Sequence, residues 1–285
     1  MMKKGKKAGT EWKFNAVSLL FLVLSALLVY SQMFSRLKLY IDDADPYSYG
    51  AVIPPMFLIM IVFFYRKDLK VEKDVKKLLL ALPFLALAAL LLLGSSSTYG
   101  LDALSLPFFI AGAILLLFSI PTFRKLLFPI IYLFLLWTPL FKPLISLQPA
   151  LTNFTSDVVG TAVRLMGLQI ERAGNIFYSG SKISLEIVPE CVPLSALIAL
   201  FCFILPFAYV AVGEKKNRVA WLLAWVIGGW VLNSLRIVVV LLLWYYAGIS
   251  LALQVFHSVG GNIIFDIVLV ASLLSLSLFR IELPL

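Results

Sequence analysis

Residues 219–246 read VAWLLAWVIGGWVLNSLRIVVVLLLWYY, a 28-residue run whose only charge is Arg236. A helix crosses the hydrocarbon core with about 20 apolar residues. This run therefore spans a membrane with length left over to tilt or project. Its end, Trp244-Tyr245-Tyr246, has the composition of an interfacial aromatic belt. An arginine inside such a run costs at least about 2.5 kcal/mol on insertion scales unless it is paired or solvated. Arg236 therefore requires an explanation beyond topology.

The rest of the chain has the same character. Of 285 residues 62% are hydrophobic, and the mean hydropathy is +1.00. Soluble domains are about 45–50% apolar, so a water-soluble fold is excluded. Eight segments have the length and composition of spans: 15–34, 50–65, 78–94, 103–120, 126–141, 190–212, 219–246 and 261–279. The expected fold is all-α, a polytopic bundle of about eight transmembrane helices forming one integral membrane domain over 1–285. Met1 to Lys7 and the apolar run from Val17 look like a signal peptide. No small-residue cleavage pattern follows, and the run continues to Phe34, which fits a first transmembrane helix.

A net charge of +9 suggests nucleic acid until the basic residues are located. They gather in the N-terminal tail, the 66–77, 121–125 and 213–218 loops and the C-terminal tail. The opposite loops hold only Arg36, Lys38, Lys142, Arg164, Arg172 and Lys182. The positive-inside rule then predicts a multi-pass protein of the cell membrane with both termini cytoplasmic. Residues 190 and 261, where the sixth and eighth segments begin, fall on the extracytoplasmic side.

The loop 142–189 is expected there too, as an insertion before the sixth helix. Leu147, Leu151, Phe154, Val158, Ala162 and Leu165 recur at helical spacing, a stripe suited to lie on the membrane surface or cap the bundle. Beyond Gly167 the period changes. Ile183, Leu185 and Ile187 alternate with polar residues, and Ile170 to Tyr178 is predicted as a partner strand across Ser179-Gly180. Such a hairpin would lead directly into the sixth helix and could receive an extended peptide by strand addition.

Three residues at this outer level carry reactive groups. Cys191 lies in Val188-Pro189-Glu190-Cys191-Val192-Pro193-Leu194-Ser195, with Pro193 suited to a first helical position. The start of a helix favours a thiolate through its free N–H groups and dipole. Arg236, in Asn233-Ser234-Leu235-Arg236, is a candidate to stabilise an oxyanion or to hold a substrate carbonyl or carboxylate. His257 is the only histidine, hence the only side-chain base titrating near neutrality without perturbation. Thiol and imidazole together make the couple used by cysteine peptidases. The second cysteine, Cys202, reads as a small core hydrophobe. It is 11 residues from Cys191, roughly 16 Å along a helix and too far for a disulfide. Neither a metal-ligand spacing nor any other cofactor motif is present.

Cysteine at the outer start of one helix, Asn-x-x-Arg in the next and histidine before the last resemble the exosortase/archaeosortase family. The lead-in from Gly160 to Glu190 is similar as well, and the resemblance covers roughly 126–275. It implies a membrane transpeptidase-like enzyme acting on secreted proteins with a C-terminal sorting tail: a short motif, a transmembrane helix and a basic cluster. Cleavage at the outer face would run through a thioester and end in transfer to an acceptor, a membrane lipid in archaeal members or another nucleophile. On this resemblance the nucleophile is Cys191 and its partners are Arg236 and His257. The chain departs from the family in having Val192 and Pro193 where members commonly have a small residue and glycine.

Two other classes fit the composition. A transporter or flippase would use Arg236 and Asp266 in a polar path near the midplane. An assembly subunit would need no chemistry, with Arg236 paired to Asp266, the one acid of the eighth segment. Convergence of thiol, imidazole and guanidinium on one cleft separates an enzyme from both.

Overall fold

The computed structural model describes residues 17–42, 47–72, 76–95, 100–180, 184–192, 194–259 and 262–284. By contact the chain divides into two compact units, Met1–Phe141 with Leu285, and Lys142–Pro284.

The first unit is built from apolar helices broken where the sequence weakens them. α1 (Val17–Val29) and α2 (Ser31–Asp42) meet at a 70° bend. At that bend Tyr30 is buried, and its hydroxyl accepts from Ser105 Oγ at 2.9 Å. α3 (Ser48–Asp68) begins as a 3-10 turn, has Pro54 and Pro55 in its first α-helical turn, and widens to a π turn at Met60–Tyr65. α4 (Lys76–Gly94) and α5 (Leu101–Leu117) pack closely. Gly112 permits it, because a Cβ there would meet Leu85 at 2.6 Å. α6 (Ile120–Lys125) and α7 (Leu127–Leu136) follow. Asp68 pairs with Lys125, and its carbonyl accepts from Thr122 Oγ1 at 2.6 Å. The basic loops around residues 66–72 and 121–125 therefore share one end of this unit.

The second unit opens with α8 (Lys142–Ile145) and α9 (Gln148–Leu165). Three short strands follow: β1 (Glu171–Ala173), β2 (Ile176–Tyr178) and β3 (Leu185–Glu186). They form an antiparallel sheet in the order β1-β2-β3, with Arg172 opposite Phe177 and Phe177 opposite Leu185. A 3-10 turn at Pro189–Cys191 leads to α10 (Leu194–Val210), then the long α11 (Lys215–Ala247), α12 (Ile249–Val259) and α13 (Asn262–Leu274). A bridge between Val212 and Glu282 brings the end of the chain beside the loop before α11.

Several sequence expectations change here. Among the described residues four helices are long and apolar enough to cross a membrane, or five with the bent pair counted as one span. Segments 103–120 and 126–141 give shorter apolar helices, the latter interrupted by 3-10 turns at Leu133–Leu136 and Thr138–Leu140. Pro139 stands in the second of these turns, and a proline removes a helical hydrogen bond. The last segment is 13 residues of α-helix ending in a 3-10 turn. Between the seventh and eighth segments, residues 249–259 form a further helix, α12, which Gly248 turns away from α11 at φ +91°. The stretch Ile170 to Tyr178 is not one strand but two, folded at Gly174 with φ +61°. Ile183 and Pro193 lie outside the described residues, whereas Leu185 and Ile187 face inward as their alternation predicts.

α9 is turned opposite to the reading for a water-soluble helix. Its buried face is Thr152, Thr155, Ser156, Val159, Gly160 and Val163. Of the predicted stripe, Leu147, Phe154, Val158 and Leu165 are exposed. Small and hydroxylic residues, not the apolar stripe, take the helix contacts, the pattern of helix interfaces in membrane proteins. Gly160 lets the sheet approach, with Arg172 Cδ and Phe177 Cε1 at 3.3 and 3.4 Å from where a Cβ would stand.

Candidate active site

The buried side chains of α9, the sheet, α11 and α12 form one core. Val159, Val163, Phe177, Leu185, Ile187 and Val192 pack with Ile237, Leu241, Trp244 and Ala252, and Cys191 and Phe256 lie partly buried against them. The core fixes the sheet, and five residues beyond the end of β3 the chain reaches Cys191. α10 starts only at Leu194, so the cysteine ends the 3-10 turn ahead of the helix.

That turn is closed on itself. The N–H of Cys191 donates to Val188 O at 2.9 Å, and the N–H of Val192 to Pro189 O at 3.1 Å. Neither amide is left to bind a developing oxyanion in the way backbone donors do elsewhere. The carbonyl of Cys191 accepts from Asn233 Nδ2 at 2.9 Å. Asn233 Oδ1 faces Nη1 of Arg236 at 3.4 Å, as expected of residues one helical turn apart. Arg236 then reaches α12: Nη2 donates to Phe256 O at 3.1 Å, and the guanidinium lies over the Phe256 ring, 4.2 Å from its centroid. Cation–π contact of this kind is worth about 0.5–2 kcal/mol, more as the site loses water.

Electrostatically, Arg236 and Cys191 act on each other, while the exposed carboxylates of Glu190 and Glu186 lie within reach of the sulfur with opposite sign. Among the described residues Arg236 forms no ion pair with a carboxylate. Asp266, the partner expected for a purely structural arginine, is exposed on α13. Arg236 Nε is buried with no hydrogen-bond partner among the described residues. Of the three sequence candidates, Cys191 and Arg236 are therefore brought together through Asn233. The backbone of His257 follows Phe256 in α12, one residue beyond the carbonyl that Arg236 holds; its side chain lies outside the described residues.

Two contributions escaped sequence reasoning. Gln148, the first residue of α9, binds the backbone on both sides of Cys191. Trp230 donates through Nε1 to Thr155 Oγ1 at 2.9 Å and stacks on Phe154, joining α11 to α9. A polar residue opening a helix after a proline-rich stretch is a weak signal for Gln148. Nothing local marks Trp230 among six tryptophans. Among the described residues no group of His, Cys, Asp and Glu is arranged to hold a metal ion.

No curated protein and no solved structure matches the chain. Its sequence does match a family, described as transmembrane exosortase, over residues 41–274.

Proposed function

The chain belongs to the transmembrane exosortase family and is a multi-pass membrane protein of that transpeptidase type, and we propose that it works as a cysteine transpeptidase with Cys191, Arg236 and His257 as its catalytic residues. Its substrates are secreted proteins bearing a C-terminal tail of short motif, transmembrane helix and basic cluster. The reaction takes place at the extracytoplasmic face, with both termini in the cytoplasm.

The sulfur of Cys191, its proton passed to His257, attacks the scissile carbonyl carbon. The carbonyl oxygen takes the electron pair as an oxyanion beside Arg236. When the intermediate collapses, the C–N bond breaks and His257 returns a proton to the leaving amine, which carries the tail away. A thioester remains. An acceptor nucleophile, a membrane lipid or an amine, attacks that carbonyl and gives its proton to His257, and the sulfur leaves.

The observation that supports this reading is the continuous set of contacts from Cys191 through Asn233 and Arg236 to the residue before His257. A guanidinium with no carboxylate partner among the described residues, next to a thiol whose turn has used its own amides, fits an oxyanion donor. A polar transport path through Arg236 and Asp266 gains no support from an exposed Asp266.

The test is co-expression with a tailed substrate, followed by mass analysis of the product. Cys191→Ala is expected to abolish processing at normal protein levels. Cys202→Ala, in a fully buried apolar site, is expected to retain activity at a stability cost of about 1 kcal/mol. Wild-type-like processing by Cys191→Ala would reject the mechanism.

A further inference from the structure

We infer that Gln148 is the positioning residue of the cysteine turn, a role that rests on Cys191 being the nucleophile. Its carboxamide meets the turn with both polarities. Oε1 accepts from the N–H of Leu194 at 2.9 Å. Nε2 donates to Val192 O at 2.7 Å and to Pro189 O at 3.1 Å. These groups flank Cys191 on both sides, from the turn that precedes it to the first residue of α10. Thr152, one turn along α9, stands beside it: its Oγ1 donates to Gln148 O at 2.9 Å and lies 3.2 Å from Nε2, whose two N–H groups it shares with the two carbonyls.

The carbonyl of Cys191 itself is held from the other side by Asn233. The cysteine is thus suspended between two side-chain amides, one on α9 and one on α11. The neighbouring proline contributes no N–H, so side chains supply what the backbone of this segment lacks. Of the common side chains, a glutamine combines the required reach with an acceptor and a donor. A carboxylate keeps the acceptor for Leu194 but turns a second oxygen toward the carbonyls of Val192 and Pro189. An ångström of misplacement of a reacting group can cost about 100-fold in rate.

The experiment compares Gln148→Ala, Gln148→Glu and Cys191→Ala with wild type, all full-length in membranes, on one tailed substrate. Both Gln148 variants are expected to lose about 10- to 100-fold in kcat with KM within about two-fold. A pH series separates positioning from general damage. As pH falls from about 7 to about 4, through the ordinary glutamate value of about 4.3, a protonated carboxyl regains a donor. The deficit of Gln148→Glu relative to wild type should therefore shrink, and that of Gln148→Ala should not. Wild-type kcat in both variants, a loss confined to KM, or deficits independent of pH in both would overturn the inference. Failure of both to accumulate would assign Gln148 to folding and overturn it too. If Cys191→Ala still processes substrate, the nucleophile assignment has failed; if it is dead while the Gln148 variants turn over normally, only this inference has.

Discussion

The side-chain amide of Asn233 donates to the main-chain carbonyl of Cys191 at 2.9 Å, while its oxygen faces Arg236. One residue of α11 therefore sets the nucleophile's backbone and the cation in register. Asn233→Ala is expected to lower kcat about 5-fold, the equivalent of one lost hydrogen bond of roughly 1 kcal/mol. Asn233→Asp should lower it further, because the carboxylate repels the Cys191 carbonyl and captures Arg236. Turnover of a tailed substrate at matched expression checks the order wild type, alanine, aspartate.

Arg236 makes contacts on two helices, a fork that lysine does not reproduce. Arg236→Ala should reduce kcat by about 100- to 1,000-fold, the range for a removed oxyanion donor. Arg236→Lys should recover only a small part of this. Full recovery by lysine would show that charge alone suffices and that the fork is irrelevant.

If His257 accepts the proton, kcat/KM falls with acid as the imidazole charges. The sign follows from the base being active only when neutral. His257→Gln should be slow and should lack this acidic limb. A variant profile that parallels wild type through the same range would remove His257 from the mechanism.

α10 and α11 meet at Gly229, where a Cβ would lie 2.8 Å from Leu200 Cδ2; at Gly228 nothing stands within 4 Å. Gly229→Val should destabilise by about 1–3 kcal/mol through overpacking. Gly228→Ala should be neutral or stabilise by up to about 1 kcal/mol, the helix-propensity difference. Thermal unfolding of the two purified variants distinguishes them.

Membrane class was legible because apolar runs of bilayer length have few other uses. The residues of the site stood out for a related reason: thiol, guanidinium and imidazole are rare and costly in such runs. What escaped was set by tertiary contact. Gly248 and the pair Gly260-Gly261 bracket a segment too short for a span, so α12 looked like a loop. The stripe from Leu147 to Leu165 was visible as a helix with two placements open, on the membrane surface or capping the bundle; the small hydroxylic face is the one that turned inward. Gln148 was invisible because its three backbone partners lie more than 40 residues away, on carbonyls and an amide that every residue type shares.

The outward turn of α9 bears on handling. Phe154 and Leu165 are 54% and 84% exposed, so this helix is greasy on the outside and hydroxylic within. Soap molecules that strip away lipid leave that surface to whatever amphiphile replaces it. Reconstitution into nanodiscs is accordingly the preparation in which turnover should survive purification, and short-chain detergent the one in which it should fade first.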